Sequence, residues 1–344
     1  MPHPGPRSDG VDRSSSAVSV PILSSGGGET PPAKVFMKIV SLNPELTEIL
    51  YALHDGTKVC GVTHLCPRAP GEWNPPIVTR PAAPAASGNF ERDKLQAGLS
   101  AIAVDIEKLR EVAPSTIVTT VVSDSPDNFC GFAQGYFLQH WMSKIRVRSF
   151  DIASLDDLLA AYVEVGVTIG MGSAGRDRAQ RIKSQLLDWG RNLYDRLRNK
   201  KTVVLSSVQP LEVAGCWVPD IIKLVSGRPM NPDLAKVSNP TTWEAIAEFG
   251  PDVILVAPRG KSVEESVRYL RALEDVPQWD SLPAVKRGEV VFSDGIRLYQ
   301  AGAKLLEGAG ILVSAMAGLD AGYITKRDEF HRLRFVELHR HRFM

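Results

Sequence analysis

Lys38-Ile-Val-Ser-Leu42 runs directly into Asn43-Pro44-Glu-Leu-Thr-Glu-Ile-Leu-Tyr-Ala-Leu53-His54. The first five residues are too continuously apolar for a half-exposed strand and read as one buried in a parallel sheet. The next residues form a turn that caps a helix over 44–54. A strand feeding a helix is half of a βαβ unit, and the pattern recurs. Further strand-like runs lie at 59–63, 116–121 and 145–149, then at 202–206, 253–257 and 289–293. Helical stretches alternate with them at 105–112, 132–143, 219–225, 241–249, 263–273 and 302–317. That alternation predicts the α/β class with parallel sheets.

The 344 residues suffice for about two domains, each with its own core. Between the two groups of strands, 154–198 carries no strand-like run. Within it Ile182, Leu186, Trp189, Leu193 and Leu197 recur every three or four residues among charged ones. This predicts one long amphipathic helix of about 23 residues joining two lobes stiffly. The expected organisation is an α/β lobe at 37–152, a connecting helical segment at 153–199 and a second α/β lobe at 200–320. Residues 1–36, rich in Ser, Gly and Pro, read as a disordered extension, and Met37 stands where strand-like sequence begins. Residues 321–344 read as a basic, solvated tail or a docking segment for another chain, carrying six Lys or Arg with His331, His339 and His341. A weak internal echo, Ala113-Pro-Ser-Thr-Ile-Val118 beside Gly250-Pro-Asp-Val-Ile-Leu255, points to similar lobes.

A formal net charge of +1 removes the electrostatic case for nucleic acid or an anionic membrane. No apolar run approaches the roughly 18 residues of a spanning helix. Cys60, Cys66, Cys130 and Cys216 include no CxxC pair, so neither a zinc ribbon nor a disulfide framework is indicated. The extension lacks the apolar segment of a secretion signal, so the expected compartment is cytoplasmic or organellar, and periplasmic only if the true N-terminus differs.

Gly170-Met-Gly-Ser-Ala-Gly175 spells GxGxxG, but a dinucleotide loop needs a strand before it and the residues before it look helical. Glycines easing helix packing is the preferred reading. Ligands of open α/β sheets sit beyond the carboxyl ends of strands. The loops there gather Asn43, His64, Cys66, Cys130, Cys216 and Trp217. Imidazole and thiolate suit a soft metal or a ligand's metal centre, with His64 and Cys66 the candidates. Trp217, next to Gly215, offers a flat surface for a planar ring, and Trp73 and Tyr299 lie in similar contexts. The bland alternatives are small buried thiols and a hydrogen-bonded loop histidine.

The stretch Ile39–Leu53, with Val59-Cys-Gly-Val-Thr-His-Leu-Cys-Pro67, Val213-Ala-Gly-Cys-Trp-Val-Pro-Asp220 and Ser293-Asp-Gly295, resembles the class III periplasmic binding proteins of ABC importers, above all their cobalamin-binding branch. The resemblance implies two Rossmann-like lobes bridged by a long helix. It also implies a non-enzymatic protein holding cobalamin, haem or another metal chelate between the lobes. His64, Cys66 and Trp217 would line that cleft with Asn43 and Tyr299 near it, while Glu72 and Asp220 would dock an ABC permease. The usual acid and aromatic after Cys66 are Pro67-Arg68-Ala69 here, and Cys216 replaces a histidine. Two other readings stay open. One is a carrier or assembly subunit of the same fold that docks a partner protein. The other is an enzyme pairing His64 with Cys66 or Cys130.

Overall fold

The computed structural model describes residues 37–53, 56–68, 73–81, 102–120, 145–231, 238–302, 304–319 and 330–333. In the first lobe β1 (Ile39–Ser41) leads through α1 (Pro44–Leu53) to β2 (Val59–Val62). A small antiparallel pair, β3 (Thr79–Pro81) with β4 (Ile102–Val104), precedes α2 (Ile106–Val112), β5 (Thr116–Thr120) and β6 (Arg146–Phe150). The sheet order is β2-β1-β5-β6, parallel throughout. Every residue of β5 is buried, as expected of an interior parallel strand, whereas edge strand β6 alternates outward and inward. The helix expected at 132–143 lies outside the described residues.

The connection is a helical hairpin. Helix α3 (Leu155–Thr168) begins where Ser154 accepts a hydrogen bond from the Asp157 amide (3.1 Å). The chain then turns through Gly170, at φ +77°, into α4 (Gly172–Asn192) and the short α5 (Tyr194–Leu197). A Cβ on Gly175 would stand 2.4 Å from the Tyr162 carbonyl oxygen, so glycine is what lets the two arms pack. The GxGxxG string is thus a helix corner preceded by a helix. At 21 residues, α4 is about 32 Å long, and Ile182 and Leu186 on its apolar stripe are fully buried.

In the second lobe β7 (Lys201–Ser207), β8 (Glu212–Ala214), α6 (Trp217–Leu224), β9 (Arg228–Pro229) and β10 (Ser238–Pro240) precede α7 (Trp243–Phe249) and β11 (Val253–Val256). Then come α8 (Val263–Val267), α9 (Leu270–Glu274), α10 (Pro283–Lys286), β12 (Val290–Ser293), α11 (Leu305–Ala317) and β13 (Phe330–Leu333). The single helix expected over 263–273 is two short ones. The sheet, β10-β8-β7-β11-β12-β13 with β9 beside β7, is parallel at its centre and antiparallel at both edges. Part of the expected solvated tail is therefore an edge strand. Arg332 pairs with Glu289 and donates to the Ala315 carbonyl (3.0 Å), which holds that strand in place.

One apolar cluster runs from Ile39 and Leu46 of the first lobe, through Tyr162 and Ile182 of the hairpin, to Trp217 and Leu312 of the second. The opposite sheet faces carry their own smaller clusters, around Val40, Leu109 and Ile117 and around Leu205, Trp279 and Phe292.

Candidate functional site

The carboxyl ends of β1 and β2 present Asn43, His64 and Cys66. Asn43 is buried and occupied: its Oδ1 accepts from the Leu46 amide (3.0 Å) and its Nδ2 donates to Thr120 Oγ1 (3.1 Å). With Pro44 in the first turn it is a helix cap that also ties α1 to β5, so both ends of its amide already serve the fold. Cys66 is likewise engaged. The single hydroxyl proton of Thr47 goes to the Asn43 carbonyl (2.9 Å), so the Cys66 thiol is the donor to Thr47 Oγ1 (2.9 Å). Thr63 Oγ1 lies 3.1 Å from the same sulfur. Burial raises the thiol's pKa above its ordinary value, and the two threonines offset this only in part. Cys66 is a neutral thiol pinning the loop, the opposite of an activated nucleophile.

His64 is half-buried and held from one side. Its backbone amide donates to Thr79 Oγ1 (3.0 Å), and its Nδ1 lies 2.9 Å from the same oxygen. The ring is thus oriented through Nδ1, and among the described residues no hydrogen bond is made by Nε2.

Across from these loops, β8 ends in Ala214 and the chain enters α6 through Cys216, held at φ +51°. Burial pushes the Cys216 thiol up to about 12; Arg259 pulls it down, while Glu45, Asp220 and Asp151 add to the rise. Glu45, in the first turn of α1, also acts on Cys66. Glu45 thus raises a thiol of each lobe.

Trp217 is 3% exposed and donates its indole N–H to the Leu298 carbonyl (3.2 Å). In place of the open stacking platform expected from sequence, the ring is buried, because α6 turns it into the shared core. Tyr299 is also buried, and the Arg259 guanidinium lies 5.8 Å from its ring centroid. Gly295 brings that pair together. A Cβ there would fall 1.9 Å from the Pro258 carbonyl oxygen, so only glycine lets the loop after β12 lie on the loop after β11. Sequence reasoning missed Arg259. Its signal was a cation three residues beyond the apolar run Val253–Val256, at a strand's carboxyl end.

Asp220, expected to dock a partner, has internal duties: it accepts from the Leu155 amide (2.9 Å) at the start of α3 and pairs with Lys223 (2.8 Å). Cys130 and Glu72 lie outside the described residues. Among the described residues no three His, Cys, Asp or Glu converge to hold a metal ion, and no helix is long and apolar enough to cross a membrane.

No known family profile matches the chain, nor does any curated protein. Solved structures do match. A possible iron-binding, periplasmic solute-binding protein from Staphylococcus epidermidis aligns at TM-score 0.58 and 18% identity, covering 81% of this chain and 98% of its own. The periplasmic haem-binding protein BhuT, solved with two haems, aligns at 0.59 and 17%, covering 82% and 98%. The periplasmic vitamin B12 binding protein BtuF of Vibrio cholerae aligns at 0.54 and 16%, covering 81% and 96%. This is the periplasmic solute-binding-protein fold. In this chain the helical hairpin of α3 and α4 connects the two lobes, with His64 carried by the first and Arg259 by the second.

Proposed function

We propose that this chain is a class III solute-binding protein holding a metal-bearing tetrapyrrole or related chelate, with cobalamin the first candidate, between its lobes for delivery to an ABC permease. The observation that carries the reading is His64: a half-buried ring on a strand-end loop, oriented through Nδ1 and with no hydrogen bond at Nε2 among the described residues, would suit contact with a metal already held by its macrocycle. Such a ligand needs one protein donor, so a converging cluster of ligating side chains is not required. Arg259, over the buried Tyr299 ring, supplies a cation on the other lobe, and solved proteins of the same fold are described as binding haem and vitamin B12.

Two features weigh against an enzyme built on His64 and a cysteine. The Cys66 proton goes to Thr47, and burial raises both described cleft thiols, whereas a nucleophile is activated by a depressed pKa. The neighbours named as periplasmic pull against the cytoplasmic or organellar expectation, and cell fractionation decides between them.

The test is a visible-absorbance titration with cobalamin, cobinamide and haem, repeated on His64→Ala. Expected is a saturable shift with one equivalent of cobalamin, and about tenfold or more weaker binding with an altered band in the variant. Neither spectral shift nor calorimetric heat with any of the three overturns the ligand class. Full binding with an unchanged band in His64→Ala overturns the axial role.

A further inference from the structure

The near-neutral total charge hides a segregation. Residues 172–201 carry nine Lys or Arg against three Asp, a local excess of +6 in a chain whose total is +1, so the rest of the chain sums to −5. The helix period sorts these residues. Gly175, Ala179, Ile182, Leu186 and Gly190 turn one side of α4 inward, and the charged residues crowd the other. Arg176, Lys183 and Arg191 follow at steps of seven and eight residues, each close to two turns, and all three are exposed. They form a row about 22 Å long, and exposed Arg198, just past α5, carries the charge beyond it. Neighbouring acids answer the row only in part. Lys183 stands 3.8 Å from Asp156 and Arg191 pairs with Asp188, both at the surface, where such pairs hold weakly. Arg176 and Arg198 make no ion pair or side-chain hydrogen bond among the described residues. A large apolar side chain stands out at each end. Val167, at the hairpin corner, is 60% exposed, and a Cβ on Gly172 would lie 3.1 Å from Val167 and 3.5 Å from the Arg176 guanidinium, so the two flank one spot. Tyr194, opening α5, is 50% exposed.

We propose that this ridge is a docking surface for an anionic phospholipid bilayer. A net charge of +1 argues against such binding only where charge is spread evenly, and here it is not. Charge alone would serve any polyanion. The apolar ends favour a bilayer, whose negative headgroups lie directly above hydrocarbon, so that a valine and a tyrosine ring enter it while the guanidinium groups stay with phosphate. The attraction is screened within about 8 Å at physiological salt, so it acts when the ridge lies flat on the headgroups. Nothing in this surface depends on what the lobes bind.

The experiment is co-flotation of the full chain with vesicles of phosphatidylcholine, alone or with about 30% phosphatidylglycerol, at about 0.05 M and about 0.5 M salt. The wild type is compared with Arg176→Gln/Lys183→Gln/Arg191→Gln and with Val167→Ser/Tyr194→Ser. The basic residues of 321–344 remain in all three proteins, so any difference belongs to the ridge. Expected is binding to the anionic vesicles at low salt, about tenfold or more weaker in the triple variant and about threefold weaker in the double one. Equal binding of the wild type to neutral and anionic vesicles overturns the proposal, as does a triple variant that binds like the wild type. Retention on heparin or double-stranded DNA without vesicle binding overturns the bilayer as the occupant, and so does an unchanged double variant. If circular dichroism shows the triple variant unfolded, Arg191→Gln decides in its place, with a loss of about threefold or more expected.

Discussion

Both lobes turn from helix into central strand by one device, built from better parts in the second. In the first, α2 ends at Ala113, forced to φ +44°; Pro114 follows, and Ser115 bonds both polar groups of Lys38, with its amide to the carbonyl at 2.9 Å and its hydroxyl from the amide at 3.1 Å. In the second, α7 ends at Gly250, φ +62°; Pro251 follows, and Asp252 grips Lys201 in the same way at 2.7 and 2.9 Å while also pairing with Arg287. The faint echo of Ala113–Val118 in Gly250–Leu255 is thus a repeated corner. A β-methyl group in the left-handed region costs about 1–2 kcal/mol, so the first lobe carries strain that the second avoids. It also lacks the charge-assisted acceptor. The smaller, four-stranded lobe is held less firmly at the point where its first strand begins.

The comparison can be broken most sharply at the element both lobes share. Trp217→Ala should cost about 3–5 kcal/mol in a denaturant titration, because the indole is buried and its N–H bonded. A cost below about 1 kcal/mol would mean that the ring faces a cleft after all. Next in size are the corner acceptors. Asp252→Ala should cost about 2 kcal/mol and Ser115→Ala about 1 kcal/mol, since only the former loses a charged acceptor. Equal losses would erase the asymmetry. The smallest effects come from exchanging the left-handed residues: Gly250→Ala should destabilise by about 1 kcal/mol, and Ala113→Gly should stabilise by a few tenths to about 1 kcal/mol. A destabilised Ala113→Gly would show that the corner is unstrained.

Much of this architecture is legible in the sequence. All seven strands read from apolar runs are present, and the interior ones are buried as continuous apolarity implies. Strand β6, read as buried, is instead an edge strand with an alternating, partly exposed face. The strands not anticipated are two to four residues long and lie at edges or in side pairs. Thr79–Pro81, Arg228–Pro229 and Ser238–Pro240 each end in proline, a residue that argues against a central strand. Phe330–Leu333 hides in a basic segment because its Arg332 is satisfied by Glu289, 43 residues away. The site is legible only to the level of its loops. Strand ends named His64 and Cys216, but nothing local reveals that the Trp217 indole finds Leu298 or that Asn43 is consumed by Leu46 and Thr120. Those partners are chosen by tertiary packing, which residue type and spacing do not encode.

The apolar cluster running through both lobes and the hairpin has a practical consequence for anyone cutting the gene. A fragment ending near 199 would carry Tyr162 and Ile182 without Leu312, and one starting near 200 would expose the inner side of α6 and α11. Each half would bare a broad greasy strip and collect in inclusion bodies. The intact polypeptide, sharing that interior, should melt in a single endotherm whose calorimetric and van't Hoff enthalpies agree.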